Sequence, residues 1–238
     1  MKCLTCLLTL FLMIGSGLNA RNKEKKRLTV PQEVKVDPAA DKSDTLVMIS
    51  TEYGDMIFEL FKQTPLHRSN FIKLVSEGYY DSLLFHRVIR NFMIQGGDPL
   101  SKHAGPDENL GMGDVGYTIP AEFSDTIFHR KGALCAARTD NPEKASSGCQ
   151  FYIVQGQVFT PEQMTMLELQ RGLRLNEAQR KVYGSEGGTP WLDNNYTVFG
   201  QLTEGMNVID SIAALETKPG DRPVRDVRMK ISLLIREE

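Results

Sequence analysis

Hydrophobic and polar positions alternate in two short runs near residue 50. Residues 46–51 and 56–61 are rich in β-branched and aromatic side chains, and residues 52–55 between them are Glu-Tyr-Gly-Asp. Gly54 offers the backbone freedom that a tight turn requires. The pattern therefore predicts a β-hairpin over residues 46–61.

Apolar residues recur at helical spacing in two places. After the hairpin, Thr64 is a suitable N-cap and Pro65 fits the first helical position. The apolar positions then follow one helix face as far as Val75, and Gly78 is expected to end the helix. Residues 204–215 show a second helical pattern.

Six further segments have the composition of short strands. They are residues 83–90, 92–95, 132–137, 150–155, 197–202 and 227–235. Many short strands with few helices favour a mainly β fold over alternating β and α units. We therefore predict an antiparallel β-barrel capped by the two helices.

Residues 157–189 interrupt this succession of strands. Residues 160–163, Thr-Pro-Glu-Gln, form a capping box that predicts a helix through about residue 169. A second short helix is predicted at residues 177–183, where Gly184 ends it. We interpret the segment as a helical insertion, and the sequence leaves open whether it decorates the barrel rim or docks a partner.

The first 20 residues have the layout of a secretory signal peptide. Lys2 precedes an apolar run at residues 7–14, and small and polar residues then lead to Ala20. The apolar run is shorter than the roughly 20 residues that span a bilayer. We expect residues 1–20 to be cleaved and the protein to be exported to the periplasm. If the segment stays uncleaved, it would anchor the protein in the membrane.

Residues 21–43 predict a flexible leader. They begin with a basic run at residues 21–27 and continue with two prolines and no helical or strand periodicity. The predicted folded domain therefore spans residues 44–238.

Composition narrows the class of function. The 238 residues are 41% hydrophobic and 24% charged, which is typical of a globular protein. The 28 basic and 30 acidic residues give a net charge of −2. No basic excess therefore points to nucleic acid as a partner.

The common catalytic motifs do not stand out in this sequence. The four histidines lack metal-ligand spacing, so no metal or other cofactor is expected. No serine lies in a Gly-x-Ser-x-Gly elbow. Cys149 has no nucleophile signature, and the sequence leaves open whether Cys135 and Cys149 form a disulfide.

The most distinctive motif is Phe-His-Arg-Val-Ile-Arg-Asn-Phe-Met-Ile-Gln-Gly-Gly-Asp at residues 85–98. If its first five residues form a strand, Phe85, Arg87 and Ile89 point to one face and His86 and Val88 to the other. An arginine beside apolar neighbours is either a salt-bridged structural residue or a catalytic group. The motif alone favours the structural role.

At this motif the sequence resembles the cyclophilin-type peptidyl-prolyl cis-trans isomerases. The resemblance continues in Gly-Ala-Leu-Cys-Ala-Ala (132–137), Ser-Gly-Cys-Gln-Phe-Tyr-Ile (147–153), Trp-Leu-Asp (191–193), Tyr-Thr-Val-Phe-Gly (196–200) and Glu-Gly-Met-Asn-Val-Ile-Asp (204–210). It covers residues 45–236 apart from the insertion. It implies an eight-stranded antiparallel barrel capped by two helices, which agrees with the strand count.

The resemblance also implies an activity and a site. The activity is rotation about X–Pro bonds, so proline-containing segments of unfolded or exported proteins are the expected partners, and the protein would assist folding as a monomer. The family's catalytic arginine falls on Arg87. The implied substrate-binding residues are Phe92, Met93, Gln95, Ala137, Arg138, Gln150, Tyr152, Trp191, Leu192 and Tyr196. Trp191 also suggests cyclosporin-like ligands.

Three of these positions depart from the usual family pattern. Arg138 stands where many members have Asn, Tyr152 replaces Phe, and Tyr196 replaces a His at the pocket rim. The Tyr152 hydroxyl needs a partner, and the charge of Arg138 is expected to alter peptide preference. The alternative to an enzyme is a non-catalytic peptide-binding or chaperone module, but retention of Arg87 and the apolar pocket favours the enzyme.

Overall fold

The structure, a computed structural model, describes residues 45–234. Within them the strands are β1 Thr45–Thr51, β2 Gly54–Leu60, β3 Phe85–Ile89, β4 Met93–Gly96, β5 Thr118–Ile119, β6 Ala133–Ala136, β7 Ser146–Ser147, β8 Phe151–Val154, β9 Val198–Glu204 and β10 Lys230–Leu234. The helices are α1 Pro65–Ser76, α2 Pro161–Arg171, α3 Glu177–Ser185 and α4 Met206–Ala213. The predicted signal peptide and leader lie outside the described residues. In residues 45–234, no helix combines the length and hydropathy that a membrane span needs.

Eight strands form one antiparallel sheet in the order β10-β1-β2-β9-β6-β8-β4-β3. The sheet curls until its two edges are hydrogen bonded to each other. The Phe85 N–H donates to the Val227 carbonyl at 2.9 Å, and the Met229 N–H donates to the Leu83 carbonyl at 2.8 Å. The eight strands correspond to the eight predicted segments, so the predicted antiparallel barrel is confirmed.

The two predicted capping helices, α1 and α4, cover the ends of the barrel. Phe71 of α1 packs between Phe151 and Phe199, with ring centroids 5.7 and 5.2 Å away. From α4, Ile209 and Ile212 are fully buried. These side chains belong to one cluster of buried residues that also includes side chains of the sheet, so the helices and the sheet share one hydrophobic core.

The start of α1 differs from the prediction in one respect. Pro65 does occupy the first helical position, but the Thr64 side chain makes no cap hydrogen bond and donates instead to the Phe61 carbonyl. The N–H groups of Leu66 and His67 donate to the two carboxylate oxygens of Glu122, each at 3.0 Å. The cap therefore comes from a residue far away in sequence, which local patterns do not reveal.

The insertion forms the two predicted helices, α2 and α3. Thr160 and Gln163 make the capping box at α2, and Asn176 and Gln179 make a second one at α3. The two ends of the insertion meet, since Gln157 and Gly188 exchange backbone hydrogen bonds of 3.0 and 3.3 Å. The insertion also has a small core of its own, formed by Phe159, Met164, Leu175 and Tyr183.

The two cysteines of the domain are free thiols. Cys135 and Cys149 are both buried, and neither takes part in a disulfide. Burial raises the pKa of both thiols, so they remain protonated. They behave as small apolar core residues rather than nucleophiles.

Candidate active site

A β-bulge aims Arg87 out of the core. The β3–β4 register shifts between Phe85 and Arg87, and Arg87 then lies opposite Gln95. Phe85 and Val88 both join the main core, whereas Ile89 packs in a separate cluster. The predicted strict alternation was therefore wrong for Phe85, because the bulge inserts an extra residue and reverses its side.

A cavity of about 170 Å³ opens beside Arg87. Its lining residues are Arg87, Phe92, Met93, Gln95, Ala137, Arg138, Tyr152, Leu192 and Tyr196. Every one of them is a residue that the sequence resemblance implied. Gln150 and Trp191, the other two, do not line this cavity. The fold thus collects residues from five separate stretches of chain around one apolar pocket with a guanidinium at its edge.

Arg87 is fixed by one of its nitrogens. Its Nε donates to Oδ2 of Asp221 at 3.2 Å, and both side chains are about 40% exposed. The Asp221 carbonyl in turn accepts from the Val88 N–H at 2.8 Å, which ties the Asp221 loop to β3. Among residues 45–234, neither terminal nitrogen of Arg87 has a hydrogen-bond partner. The end of the guanidinium is therefore available to a ligand in the cavity.

Gln95 and Gln150, two of the implied substrate-binding residues, form a polar floor in two layers. Gln95 lines the cavity and donates from Nε2 to Oε1 of Gln150 at 3.2 Å. Gln150 lies behind it and donates to the carbonyls of Gly111 and Gly113 at 3.0 and 2.8 Å. Gln150 therefore orients Gln95 and holds the loop that contains Gly111 and Gly113.

Phe92, Met93, Tyr152 and Leu192 provide the apolar surface of the pocket. Trp191 lies behind Phe92, with ring centroids 5.8 Å apart, and also contacts Phe159 at 6.1 Å. Trp191 therefore packs between the pocket wall and the small core of the insertion.

The additional hydroxyl of Tyr152 has a buried partner. It lies 2.9 Å from Nε2 of His129, whose Nδ1 is 2.8 Å from Oδ1 of Asp193. Burial raises the pKa of Tyr152, so the phenol stays neutral. Because the hydroxyl is satisfied behind the wall, the pocket is presented with an aromatic ring, as it would be by Phe.

The guanidinium of Arg138 makes its contacts with other residues of the protein. Its guanidinium carbon lies 4.9 Å above the centre of the Tyr196 ring, and its Nε donates to the Asn195 carbonyl at 2.8 Å. The side chain is only 10% exposed. The structure thus makes Arg138 a support for the Tyr196 rim rather than a free charge for peptides.

The backbone of Ala137 and Arg138, two of the implied substrate-binding residues, is only partly free to bind a ligand. Ala137 uses both its groups, since its N–H donates to the Gln150 carbonyl and its carbonyl accepts from the Ser147 N–H. Within the described part of the chain, the backbone N–H and carbonyl of Arg138 have no such partners. The backbone groups of Arg138 are therefore available for hydrogen bonds to a ligand.

Three contributors to this geometry were missed from the sequence, namely Asp221, His129 and Asp193. Each acts through another residue, so none carries a local motif. The nearest signal for Asp221 is the Gly-Asp pair that makes its turn, in which Asp221 has a φ of +67°. Across residues 45–234, no cluster of metal-ligating side chains is present.

Known proteins are similar to this chain in sequence and in fold. The family model for cyclophilin type peptidyl-prolyl cis-trans isomerases matches residues 46–232. A protein of Staphylococcus haemolyticus, named as a peptidyl-prolyl cis-trans isomerase, is 41% identical over 182 residues, which are 76% of this chain and 86% of the relative. A crystal structure of a Cryptosporidium parvum cyclophilin type isomerase superimposes with a TM-score of 0.60 and 24% identity, covering 82% of this chain and 100% of that one.

A second Cryptosporidium parvum structure of that isomerase was determined in the presence of the dipeptide Ala-Pro. It has a TM-score of 0.57 and 25% identity, and it covers 81% of this chain and 99% of that one. Fold, pocket and relatives together define a β-barrel isomerase. The chain belongs to the cyclophilin-type peptidyl-prolyl cis-trans isomerases.

Proposed function

We propose that this isomerase acts on exported polypeptides, with Arg87 as the catalytic residue. The observation that carries the proposal is the position of Arg87, which lines the same cavity as the apolar side chains of Phe92, Met93 and Leu192. An apolar slot suits a proline ring, and a guanidinium at its edge can reach the imide nitrogen of that ring.

The reaction needs a group that binds the twisted bond more strongly than the planar one. Resonance gives the peptide C–N bond a rotation barrier of about 18–20 kcal/mol. As the bond twists, the proline nitrogen becomes pyramidal and recovers a lone pair. A hydrogen bond from Arg87 to this nitrogen is favoured in the transition state and disfavoured in the planar ground state, which lowers the barrier.

Arginine suits this role because it stays charged and presents several donors in a fixed geometry. A rate gain of about 10⁵ requires about 7 kcal/mol. One charge-assisted hydrogen bond contributes about 1.5–3 kcal/mol. Positioning of the ring by the pocket and exclusion of water must supply the rest.

Peptide binding would use the free backbone groups of Arg138 as well as the pocket. The Cryptosporidium parvum relative was crystallised in the presence of Ala-Pro, which supports proline-containing peptides as the ligand class. Cyclosporin-like ligands remain a proposal that rests on Trp191, which here supports Phe92 from behind.

The experiment is a protease-coupled isomerisation assay of the full chain with a proline tetrapeptide. Loss of the Arg87 hydrogen bond in Arg87→Ala should lower kcat/KM by about 10- to 150-fold. Arg90→Ala is the matched control, because Arg90 is exposed and lies outside the cavity. Unchanged kcat/KM in Arg87→Ala would remove Arg87 from the mechanism.

The alternative function, a non-catalytic peptide-binding or chaperone module, gives a different result in the same assay. The wild-type chain would then bind the tetrapeptide in calorimetry without accelerating isomerisation. Binding of that kind would also be insensitive to Arg87→Ala if the pocket alone holds the peptide.

Export to the periplasm is supported by the layout of residues 1–20 and is tested separately. The full-length chain is expressed in a Gram-negative host, and the osmotic-shock fraction is analysed by mass spectrometry. Cleavage after Ala20 gives a soluble chain that begins at Arg21. An intact chain in the membrane fraction would support the anchored alternative, and an intact chain in the cytoplasm would overturn export.

A further inference from the structure

A buried chain of hydrogen bonds links the insertion to the pocket wall. In α3, the Tyr183 hydroxyl donates to Oδ2 of Asp193 at 2.6 Å. The Gln179 Nε2 donates to the same oxygen at 3.3 Å. Asp193 follows directly after Leu192, which lines the cavity. The insertion therefore holds one carboxylate oxygen of a residue that belongs to the pocket region.

The other oxygen of Asp193 holds His129. The backbone N–H of His129 donates to Oδ1 at 2.9 Å, and its ring Nδ1 lies 2.8 Å from the same oxygen. Because a carboxylate only accepts, Nδ1 must carry a hydrogen. In the neutral imidazole Nε2 is then an acceptor, and the Tyr152 hydroxyl at 2.9 Å donates to it.

The chain is shielded from water along its whole length. Tyr183, His129, Tyr152 and Asp193 are 0%, 1%, 4% and 7% exposed. A polar group that loses its partner in such surroundings has no water to replace it. The four side chains are therefore constrained to move together, and a displacement of Tyr183 is transmitted to Tyr152.

We propose that the insertion is a positioning element for the proline pocket and that Tyr183 is its positioning residue. The inference rests on the proposed function, because it concerns how the same pocket is held. Tyr183 fixes Asp193, Asp193 fixes the tautomer and orientation of His129, and His129 fixes the ring of Tyr152. A Phe at position 152 would pack in the same place without this anchor.

The other side of the Tyr152 ring is held by Tyr196, whose ring meets it edge-on at 5.8 Å. The Tyr152 ring thus has two supports. One is the Tyr196 ring, over which Arg138 lies, and the other is the hydrogen bond to His129 that leads into the insertion. In a cavity of about 170 Å³, a small movement of this ring changes the width available to proline. The insertion would thereby set how well the pocket fits its substrate.

The test is a double-mutant cycle on kcat/KM in the full chain, with Tyr183→Phe and Tyr152→Phe. Tyr183→Phe keeps the buried ring and removes only the hydroxyl that donates to Asp193. Alone it should lower kcat/KM by about three- to tenfold, a usual size for a residue that acts through a network. In the Tyr152→Phe background, where the anchor no longer exists, it should change kcat/KM by less than about twofold.

Arg180→Gln is the matched control. It breaks the Arg180–Glu168 ion pair inside the insertion without touching the hydrogen-bonded chain, so kcat/KM should stay within about twofold of the wild type. Equal losses from Tyr183→Phe in both backgrounds, no loss in either, or an equal loss from Arg180→Gln would each overturn the proposal. If Tyr183→Phe does not fold by circular dichroism, Gln179→Met replaces it in the same cycle, since it removes the other donor to Asp193 without adding a charge.

Failure of the proposed function is recognised separately. If the wild type shows no isomerase activity, the cycle is measured as the dissociation constant of an Ala-Pro tetrapeptide by calorimetry. Loss of affinity on Tyr183→Phe only when Tyr152 is present would still support the positioning role. An active wild type in which Tyr183→Phe has no effect would overturn the positioning role alone.

Discussion

Arg87 is held at Nε by Asp221, and its terminal nitrogens have no hydrogen-bond partner within residues 45–234, which bears on its proposed catalytic role. The Asp221 carboxylate takes Nε, so the guanidinium plane is set before a substrate arrives. A group that is already oriented loses less conformational entropy when it binds the transition state. If Arg87 is catalytic as proposed, the effect of Asp221 on its position should be visible in kcat/KM.

We expect Asp221→Gly to lower kcat/KM by about tenfold, because it removes the acceptor of Arg87 Nε and leaves the guanidinium mobile. Gly is the suitable replacement, since Asp221 has a φ of +67° that other residues rarely adopt. Asp221→Asn is the control, because its amide oxygen still accepts and kcat/KM should stay within about twofold. Equal activities of the two variants would contradict the positioning role.

His86, which precedes Arg87 in β3 and is buried, should make stability depend on pH. Burial lowers the pKa of His86 from its ordinary 6.5 to about 4, although the Asp98 carboxylate opposes this shift. Between these pH values the unfolded chain binds more protons than the folded one. The free energy of unfolding should therefore fall as the pH drops from about 6.5 to 4, by up to about 3 kcal/mol.

The measurement is urea unfolding of the wild type and His86→Gln at pH 7 and pH 4.5. Lowering the pH should reduce the unfolding free energy of the wild type more than that of His86→Gln, because only the wild type has a buried His86 to protonate. A difference between the two proteins that does not change with pH would show that His86 does not titrate in this range.

At the scale of elements, the helices differ in what fixes their ends. α2 and α3 carry their N-terminal caps in their own sequence. The capping box of α2 was predicted, whereas α3 begins at an unpredicted capping box and continues past Gly184, its predicted end, to Ser185. α1 depends on Glu122, which lies in a loop and whose Oε2 also lies 2.7 Å from Nδ1 of His67. Glu122 therefore ties the capping helix to the loop that runs towards β6.

Glu122→Ala should lower the free energy of unfolding by about 1–3 kcal/mol, since it leaves the N–H groups of Leu66 and His67 and the His67 ring without their acceptor. Asp125→Ala is the control in the same loop, because Asp125 is exposed, and it should stay within about 0.5 kcal/mol of the wild type. Denaturant unfolding of the three proteins provides the comparison.

The elements that the sequence predicted well are those with local signals. The hairpin at Gly54 and the capping box at Thr160 each need only neighbouring residues, and both occur where expected. The bulge at Arg87 and the cap by Glu122 depend on contacts between distant segments. The pattern of residues 85–89 alone could not predict the register shift, because the shift arises from the pairing of β3 with β4.

At the scale of the whole molecule, the site likewise has features that the sequence predicted and features that it did not. Motif resemblance named every residue that lines the cavity, because those residues lie inside recognisable blocks. It gave no warning that Trp191 packs behind Phe92 or that Ala137 uses up its own backbone groups. Such roles arise only when the barrel has closed and distant loops meet.

The two thiols of the domain give a test of global order. Cys135 is fully buried and Cys149 is 2% exposed, so neither should react with a thiol reagent while the fold is intact. In a chain prepared to begin at Arg21, which contains only these two cysteines, we expect no fast-reacting thiols in buffer and two in denaturant. Two missing thiols in denaturant without reductant, restored by reductant, would contradict the free cysteines of the structure.

The packing of Trp191 against Phe92 has a practical consequence, because Trp191 is the only tryptophan in the chain. Its indole touches the wall of the pocket from behind without entering the pocket. Trp191 fluorescence, excited at the red edge of its absorption band, should therefore change when a ligand contacts Phe92, although the ligand does not contact Trp191 itself. Ligand binding can thus be followed by the intrinsic fluorescence of the protein, without an attached dye.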